Sequence, residues 1–252
     1  MTLSVVAKRT GLTRAAARRF LHTLRELGYV SSDERDFRLT SQVLGLGYAY
    51  LSSMSIVELA QPFMESVSKQ VNESCSMSVL DGGDVVYIAR VPTKRIMSVA
   101  LSIGTRLPAY NTSMGRVLLA ALNADELNRF FSAGDRLEYT PQTVTDEGAL
   151  RNTLKQVRRN GFAEVDQELE LGLRSVAVPV RARGGKTLAA LNVSGHAARV
   201  SMRDMRRGFL PPLRQAAEAI TAALSGEIME NQNSIRYNPS PSNPSVRDNL
   251  TN

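Results

Sequence analysis

The sequence predicts an α+β protein: an N-terminal winged helix–turn–helix, a linker helix, and a larger C-terminal domain around an antiparallel sheet. Three observations point there. Residues 1–40 carry two amphipathic helical patterns split by Gly11 and closed by a short hairpin pattern. Beyond Gln70 the apolar period switches to two, the period of a half-buried strand. These strand patterns then alternate with helical ones along the rest of the chain.

Leu3, Val6 and Ala7 share one face of a first helix that stops at Gly11, a residue suited to a left-handed turn. Thr13 caps a second helix whose apolar positions Ala16, Phe20, Leu24 and Leu27 recur at three and four residues, and Gly28 ends it. Tyr29-Val30 and Phe37-Arg38-Leu39 form two short strands around a polar tip. From Ser41 to about Gln70 the pattern is helical and interrupted by Pro62: a linker helix over 41–56, then the first helix of a second domain over 57–226. "SMSVL" and "VVYIARV" flank "DGGD", a strong hairpin signal, and "IMSVAL" is a third strand. The loop "SIGTRLPAYNT" enters an apolar helix, "SMGRVLLAAL". Amphipathic helices near 124–132 and 146–160 lead to two strands, "LRSVAVPV" and "TLAALNVSG", joined by "RARGGK", and a last helix covers roughly 202–224. Residues 227–252 are rich in Asn, Pro and Ser, and disorder is expected there.

At 252 residues and 43% hydrophobic content, the chain can bury the core of one large domain or two small ones. Its net charge of +7 is concentrated at the start, where residues 1–30 hold six cations against Glu26 alone. One cysteine, Cys75, allows no internal disulfide, and His22 and His196 complete no zinc set. The first residues lack the apolar core of a signal peptide, and no run approaches the roughly 20 apolar residues of a membrane helix. A cytoplasmic protein without cofactor, metal or membrane partner is expected.

The second helix carries Arg14, Arg18, Arg19 and His22 away from its apolar face, and the hairpin adds Arg35 and Arg38. Arginines of an amphipathic helix are often just its solvated face. Here they lack acidic partners at helical spacing, and a helix–turn–helix sets its second helix into a DNA major groove with a wing beside it. Double-stranded DNA is the expected partner, with Thr13 at the helix entrance.

In the larger domain, "GTRLPAYNTSMGRVLLA" enters a helix through a loop holding Arg106, Tyr110, Asn111, Thr112 and Ser113, and the free N–H groups of that helix N-terminus suit a carboxylate. "EVDQELELGLRSVAVPV" places Asp166, Glu168 and Glu170 before a strand that begins with Arg174 and Ser175. A half-buried arginine wants an anion, either a ligand or one of these carboxylates. Asn192 and Ser194 alternate on the next strand. No nucleophile–base pair, metal cluster or phosphate loop is evident, so the reading is not an enzyme. An enzyme using Asp166, Glu168 and the arginines remains the competing class.

On "GLTRAAARRFLHTLRELGYV", "GTRLPAYNTSMGRVLLA" and "VDQELELGLRSVAVPV" the chain resembles the IclR family of bacterial transcription regulators, from about Leu3 to Leu224, and within it the PcaR, PcaU and PobR branch. The resemblance implies a GAF-like effector domain and regulation of a catabolic operon by a small carboxylate. That acid would be aromatic or a breakdown intermediate, such as protocatechuate, 4-hydroxybenzoate or β-ketoadipate. It implies a homodimer, or a dimer of dimers, on a palindromic operator. It also implies a pocket lined by Ser113, Met114, Asp166, Ser175, Asn192 and Ser194, with Arg106 or Arg116 and Arg174 on the effector's carboxylate. Family members carry a further helix before the segment that starts here at Met1, so a ligand sensor with impaired DNA binding is the other alternative.

Overall fold

The computed structural model describes residues 1–33, 35–46, 55–93 and 101–225. The chain forms two compact units, one from Met1 to Glu58 and a second that starts at Leu59.

In the first unit, helix α1 (Leu3–Thr10) is capped by the Thr2 hydroxyl and ends at Gly11, whose φ of 68° is the left-handed conformation a glycine adopts without strain. Helix α2 (Arg14–Glu26) starts at Thr13, whose hydroxyl accepts from the Ala16 N–H. Strands β1 (Val30–Ser32) and β2 (Phe37–Leu39) pair antiparallel as the wing. The expected apolar face of α2 needs correction: Ala17 and Leu21 are the buried positions, while Phe20 and Leu27 are 61% and 55% exposed. Both sets obey helical spacing, so the period of the helix is legible in the sequence but not which stripe meets α1 and the wing. Residues 42–46 are helical, and the rest of the expected linker helix lies outside the described residues. The same holds for the tail at 227–252 and for "IMSVAL" up to Ala100.

The second unit is a six-stranded antiparallel sheet whose strands lie in the order β5 (Arg106–Pro108), β4 (Asp84–Val91), β3 (Ser74–Asp81), β8 (Thr187–His196), β7 (Leu173–Arg181) and β6 (Ala163–Asp166). Helix α3 (Ser55–Val71) enters it and continues through Pro62, which was expected to interrupt it, with Ala60, Met64 and Val67 buried. The hairpin β3 (Ser74–Asp81) and β4 (Asp84–Val91) turns on the expected Gly82-Gly83 pair. Strands β7 (Leu173–Arg181) and β8 (Thr187–His196) form the second hairpin, and β3 pairs with β8 at the centre of the sheet. The edge strands β5 (Arg106–Pro108) and β6 (Ala163–Asp166) were not expected from the sequence, being three and four residues long. Such short edges are too brief to show alternation.

One face of this sheet carries helix α4 (Ser113–Ala120), with α5 (Ala124–Ser132) and α6 (Glu147–Asn160) completing that layer. The other packs on α7 (Leu210–Leu224), reached through a single π-helical turn at Met205–Phe209. Every residue of α4 is buried. It sits close because the strands beneath offer Ala163, Ala177 and Ala190, and because Gly115 faces the Ala109 backbone with no room for a Cβ. Gly115→Ala is expected to cost about 1–3 kcal/mol by overpacking against backbone that cannot move aside. Chemical denaturation checks this, and an unchanged midpoint would show that α4 can slide.

Candidate functional site

The described surface of the first unit is basic along α2. Arg14, Arg18, Arg19 and His22 are exposed, beside the buried Ala17–Leu21 stripe, and Arg35 is exposed at the wing tip. Among the described residues of this helix and wing the ion pairs are Arg25–Glu26 at 3.5 Å, Arg38–Asp33 at 3.3 Å and Asp36 with the Met1 amino group at 3.4 Å. Arg14, Arg18, Arg19 and Arg35 have none among the described residues. His22 Nε2 lies 3.1 Å from the Arg25 guanidinium, and the Thr13 hydroxyl is engaged as the helix cap. A free row of guanidinium groups on one helix suits phosphates and guanine edges.

In the second unit a narrow cavity of about 30 Å³ opens between the sheet and the entrance to α4. Strand parity decides which side chains reach it. Ser76 pairs across to Asn192 and Ser74 to Ser194, while Ser194 pairs to Ser175, so these five share a face. Arg90 pairs with Ser76 on the same face. A bulge at Met77/Ser78 then lets Tyr87, only three residues from Arg90, pair with Ser78 and turn to the same side. Leu101, Val165, Leu169 and Leu173 supply apolar walls, and Asn111, Thr112 and Ser113 close the cavity from the α4 entrance.

The electrostatics are uneven. Arg90 is partly desolvated, which holds its pKa below the usual guanidinium value, and it has no acidic partner among the described residues. Burial pushes the Tyr87 phenol up to about 12, so it is a neutral donor, with the Arg90 charge acting in the opposite direction. Four buried polar atoms have no hydrogen-bond partner among the described residues: Asn111 Nδ2 and Oδ1, Ser113 Oγ and Asn192 Oδ1. All four belong to residues lining this cavity. Unpartnered buried groups are rare and costly unless something else satisfies them.

Two family models match the chain: the IclR helix-turn-helix domain over residues 1–34, and the bacterial transcriptional regulator IclR C-terminal domain over residues 48–222. The chain belongs to the IclR family. IclR proteins are DNA-binding transcriptional regulators, and the enzyme alternative falls on that assignment. Among curated relatives, the "Pca regulon regulatory protein" of Pseudomonas putida is 46% identical over 227 residues, 90% of this chain and 78% of that protein. A solved transcriptional regulator from Rhodococcus is 53% identical with a TM-score of 0.75, over 89% of this chain and 90% of that one. The inducer-binding domain of an Acinetobacter PobR double mutant, solved with 3-hydroxybenzoic acid, is 33% identical with a TM-score of 0.62, over 66% of this chain and 97% of that domain. Among the described residues no helix is long and apolar enough to cross a membrane.

Against this IclR fold the residues expected to hold an effector divide. Ser113, Ser175, Asn192 and Ser194 come together around the cavity. Four others do not. Arg174 neighbours Ser175 on β7 and so turns to the opposite face, where it bonds Asp166 at 2.7 Å and the carbonyls of Ala197 and Val200. Asp166 is thereby the register partner of Arg174, not a cavity group. Arg106 is an exposed residue of the edge strand β5, held by Asp81 at 2.6 Å and Asp84 at 3.2 Å, the carboxylates of the hairpin turn. Met114 lies in the core beneath the cavity, with its sulfur accepting from Ser78 Oγ at 3.2 Å. A fifth, Arg116, is buried and paired inside the protein: its Nη2 bonds Glu168 Oε2 at 2.5 Å and its Nε donates to the Tyr110 carbonyl at 2.9 Å. Sequence reasoning passed over Arg90. The signal for Arg90 was present, an arginine inside the apolar strand "VVYIARV".

Proposed function

We propose that this IclR regulator controls a catabolic operon in response to a small carboxylate, an aromatic acid or an intermediate of its breakdown, bound in the cavity beside α4. The observation that carries the reading is Arg90, a cation lining the cavity with no acidic partner among the described residues. A guanidinium held partly out of water favours an anionic ligand, and a carboxylate matches its fork. The names of the relatives agree: a Pca regulon regulator, and an inducer-binding domain in complex with a hydroxybenzoic acid. In this reading Arg14, Arg18 and Arg19 on α2, with Arg35 on the wing, contact a palindromic operator. The chain acts as a homodimer, or a dimer of dimers, and the exposed Phe20 and Leu27 are apolar positions that association would cover. The effector changes transcription by as much as its affinity differs between the DNA-bound and free arrangements.

Calorimetric titration of the full chain with 4-hydroxybenzoate, protocatechuate and β-ketoadipate tests the effector; binding by none of them would overturn this reading of the cavity. On the DNA side, a mobility-shift series with the promoter fragment of the chain's own operon should show affinity falling steeply with salt, by about 0.9 in log–log slope for each phosphate neutralised. Arg18→Ala should shallow that slope by about one. A flat salt response, or an unchanged slope in the variant, would remove α2 from the interface and leave the sensor without DNA contact as the reading.

A further inference from the structure

Two open grooves lie at the far end of the elements that line the cavity. Ser113 begins α4 at the cavity, whereas Val117, Leu118 and Ala121 at the close of that helix border the first groove, of about 460 Å³. Ser175 and Ser194 face the cavity, whereas Arg181 and Thr187, at the other ends of β7 and β8, face the first groove. The second groove, of about 690 Å³, borders α7 and shares Gly161, Pro179, Arg181 and Gly185 with the first.

The rim of this paired groove is basic. Arg158, Arg181, Arg183, Lys186 and Arg214 line it, against Glu126 and Glu218. Arg158 donates to the Ala120 and Leu122 carbonyls at 2.7 Å, and Arg214 donates to the Asn160 carbonyl at 2.9 Å. Backbone oxygens thus fix both arginines without neutralising them. Glu126 Oε2 accepts from the Asn123 N–H at 3.0 Å as part of a helix cap. Arg181, Arg183 and Lys186 are exposed and have no acidic partner among the described residues. They stand on the turn between β7 and β8, where the Ala182 N–H donates to the Lys186 carbonyl and the Gly185 N–H to the Ala182 carbonyl, both at 2.8 Å. The three cations are therefore presented by an ordered turn.

A cluster of exposed cations is usually just a solvated face. Here the surface between them is apolar. Leu188 is two residues from Ala190 and so lies on the sheet face that carries α4, yet it is 38% exposed in the first groove. Leu80 and Leu122 line the same groove and are only partly buried. Duplex DNA would meet the cations with its phosphates and leave this apolar floor wet. A peptide with apolar anchors flanked by carboxylates meets floor and rim together.

We propose that the paired groove docks an acidic amphipathic segment of another protein. Its apolar side chains lie on Leu80, Leu122 and Leu188, and its Asp or Glu side chains on Arg181, Arg183 and Lys186. The groove is separate from the effector cavity and from α2, so it gives this regulator a protein contact that neither of them supplies.

The test is selection of a random peptide library on the full chain, followed by fluorescence polarisation of the selected peptides on variants. The peptides should combine Asp or Glu with Leu, Ile, Phe or Met. A variant carrying Arg181→Glu and Lys186→Glu should bind them at least about tenfold more weakly, since two attractions become repulsions. Leu188→Ser should weaken them by at least about threefold through loss of apolar contact. Melting curves confirm that each variant is folded, and operator binding should be unchanged in both. Four outcomes would each overturn the proposal. No acidic peptide is enriched; the double variant holds the acidic peptides as tightly as the parent, which would place them on α2; a short duplex without operator sequence displaces them, which would assign the groove to nucleic acid; or the double variant changes mass in sedimentation, which would assign this face to a second copy of the chain.

Discussion

Glu168→Ala is expected to destabilise the second unit by about 3–5 kcal/mol, because it strands the Arg116 guanidinium in the core. Arg116 and Glu168 are both buried, and each has been given further partners. The arginine also donates to the Tyr110 carbonyl, and the carboxylate accepts from the Val144 N–H at 3.0 Å. Glu168 is further tied by its own carbonyl to the Thr143 hydroxyl at 2.6 Å. The pair links α4 to the segment after β6, and both elements border the cavity through Ser113 and Leu169. Removing one partner leaves a charge that can neither shed its proton nor reach water. Removing both is different: Arg116→Met with Glu168→Leu gives up the attraction and the desolvation cost together, and should unfold at higher denaturant than Glu168→Ala. Denaturant titration of the three proteins decides it. A loss below 1 kcal/mol in the single variant would mean that water reaches Arg116.

This pair shows where sequence reasoning reached its limit. The period-two runs, the "DGGD" turn, the Thr13 cap and the Gly11 stop are local statements written in neighbouring residues, and the fold class follows from them. The site is not local. The family resemblance implies Arg116 as an effector ligand, and nothing near it in sequence reveals that Glu168, 52 residues on, neutralises it. Adjacent Arg174 and Ser175 were assigned to one pocket although strand pleating puts neighbours on opposite faces. That error was avoidable, since parity is readable from sequence once a strand is accepted. The exposed Phe20 is a third kind of miss: amphipathic periodicity gives a stripe, and only the elements packed beside it decide whether that stripe is buried.

The largest effect on ligand binding is expected from Arg90→Gln, which should weaken an acidic effector by about 10- to 150-fold, the worth of one charge-assisted hydrogen-bonded contact at about 1.5–3 kcal/mol. Arg90 and Arg174 look alike in the sequence, each an arginine set among apolar strand residues. Register separates them. Directly across from Arg174 stands Asp166, which satisfies it inside the protein, whereas across from Arg90 stands Ser76, which carries no charge. A guanidinium in a partly desolvated wall keeps its proton, since its ordinary pKa is so high, and so it keeps its demand for an anion. Arg90→Lys should recover only part of the loss, because an ammonium restores the charge but not the two-pronged geometry. Arg174→Gln, by contrast, should lower stability through the stranded Asp166 and leave effector affinity within about threefold. Calorimetry on the three variants with the same acid makes the comparison direct. A loss of affinity in Arg174→Gln equal to that in Arg90→Gln would return the effector's carboxylate to the β6–β7 edge and remove Arg90 as its anchor.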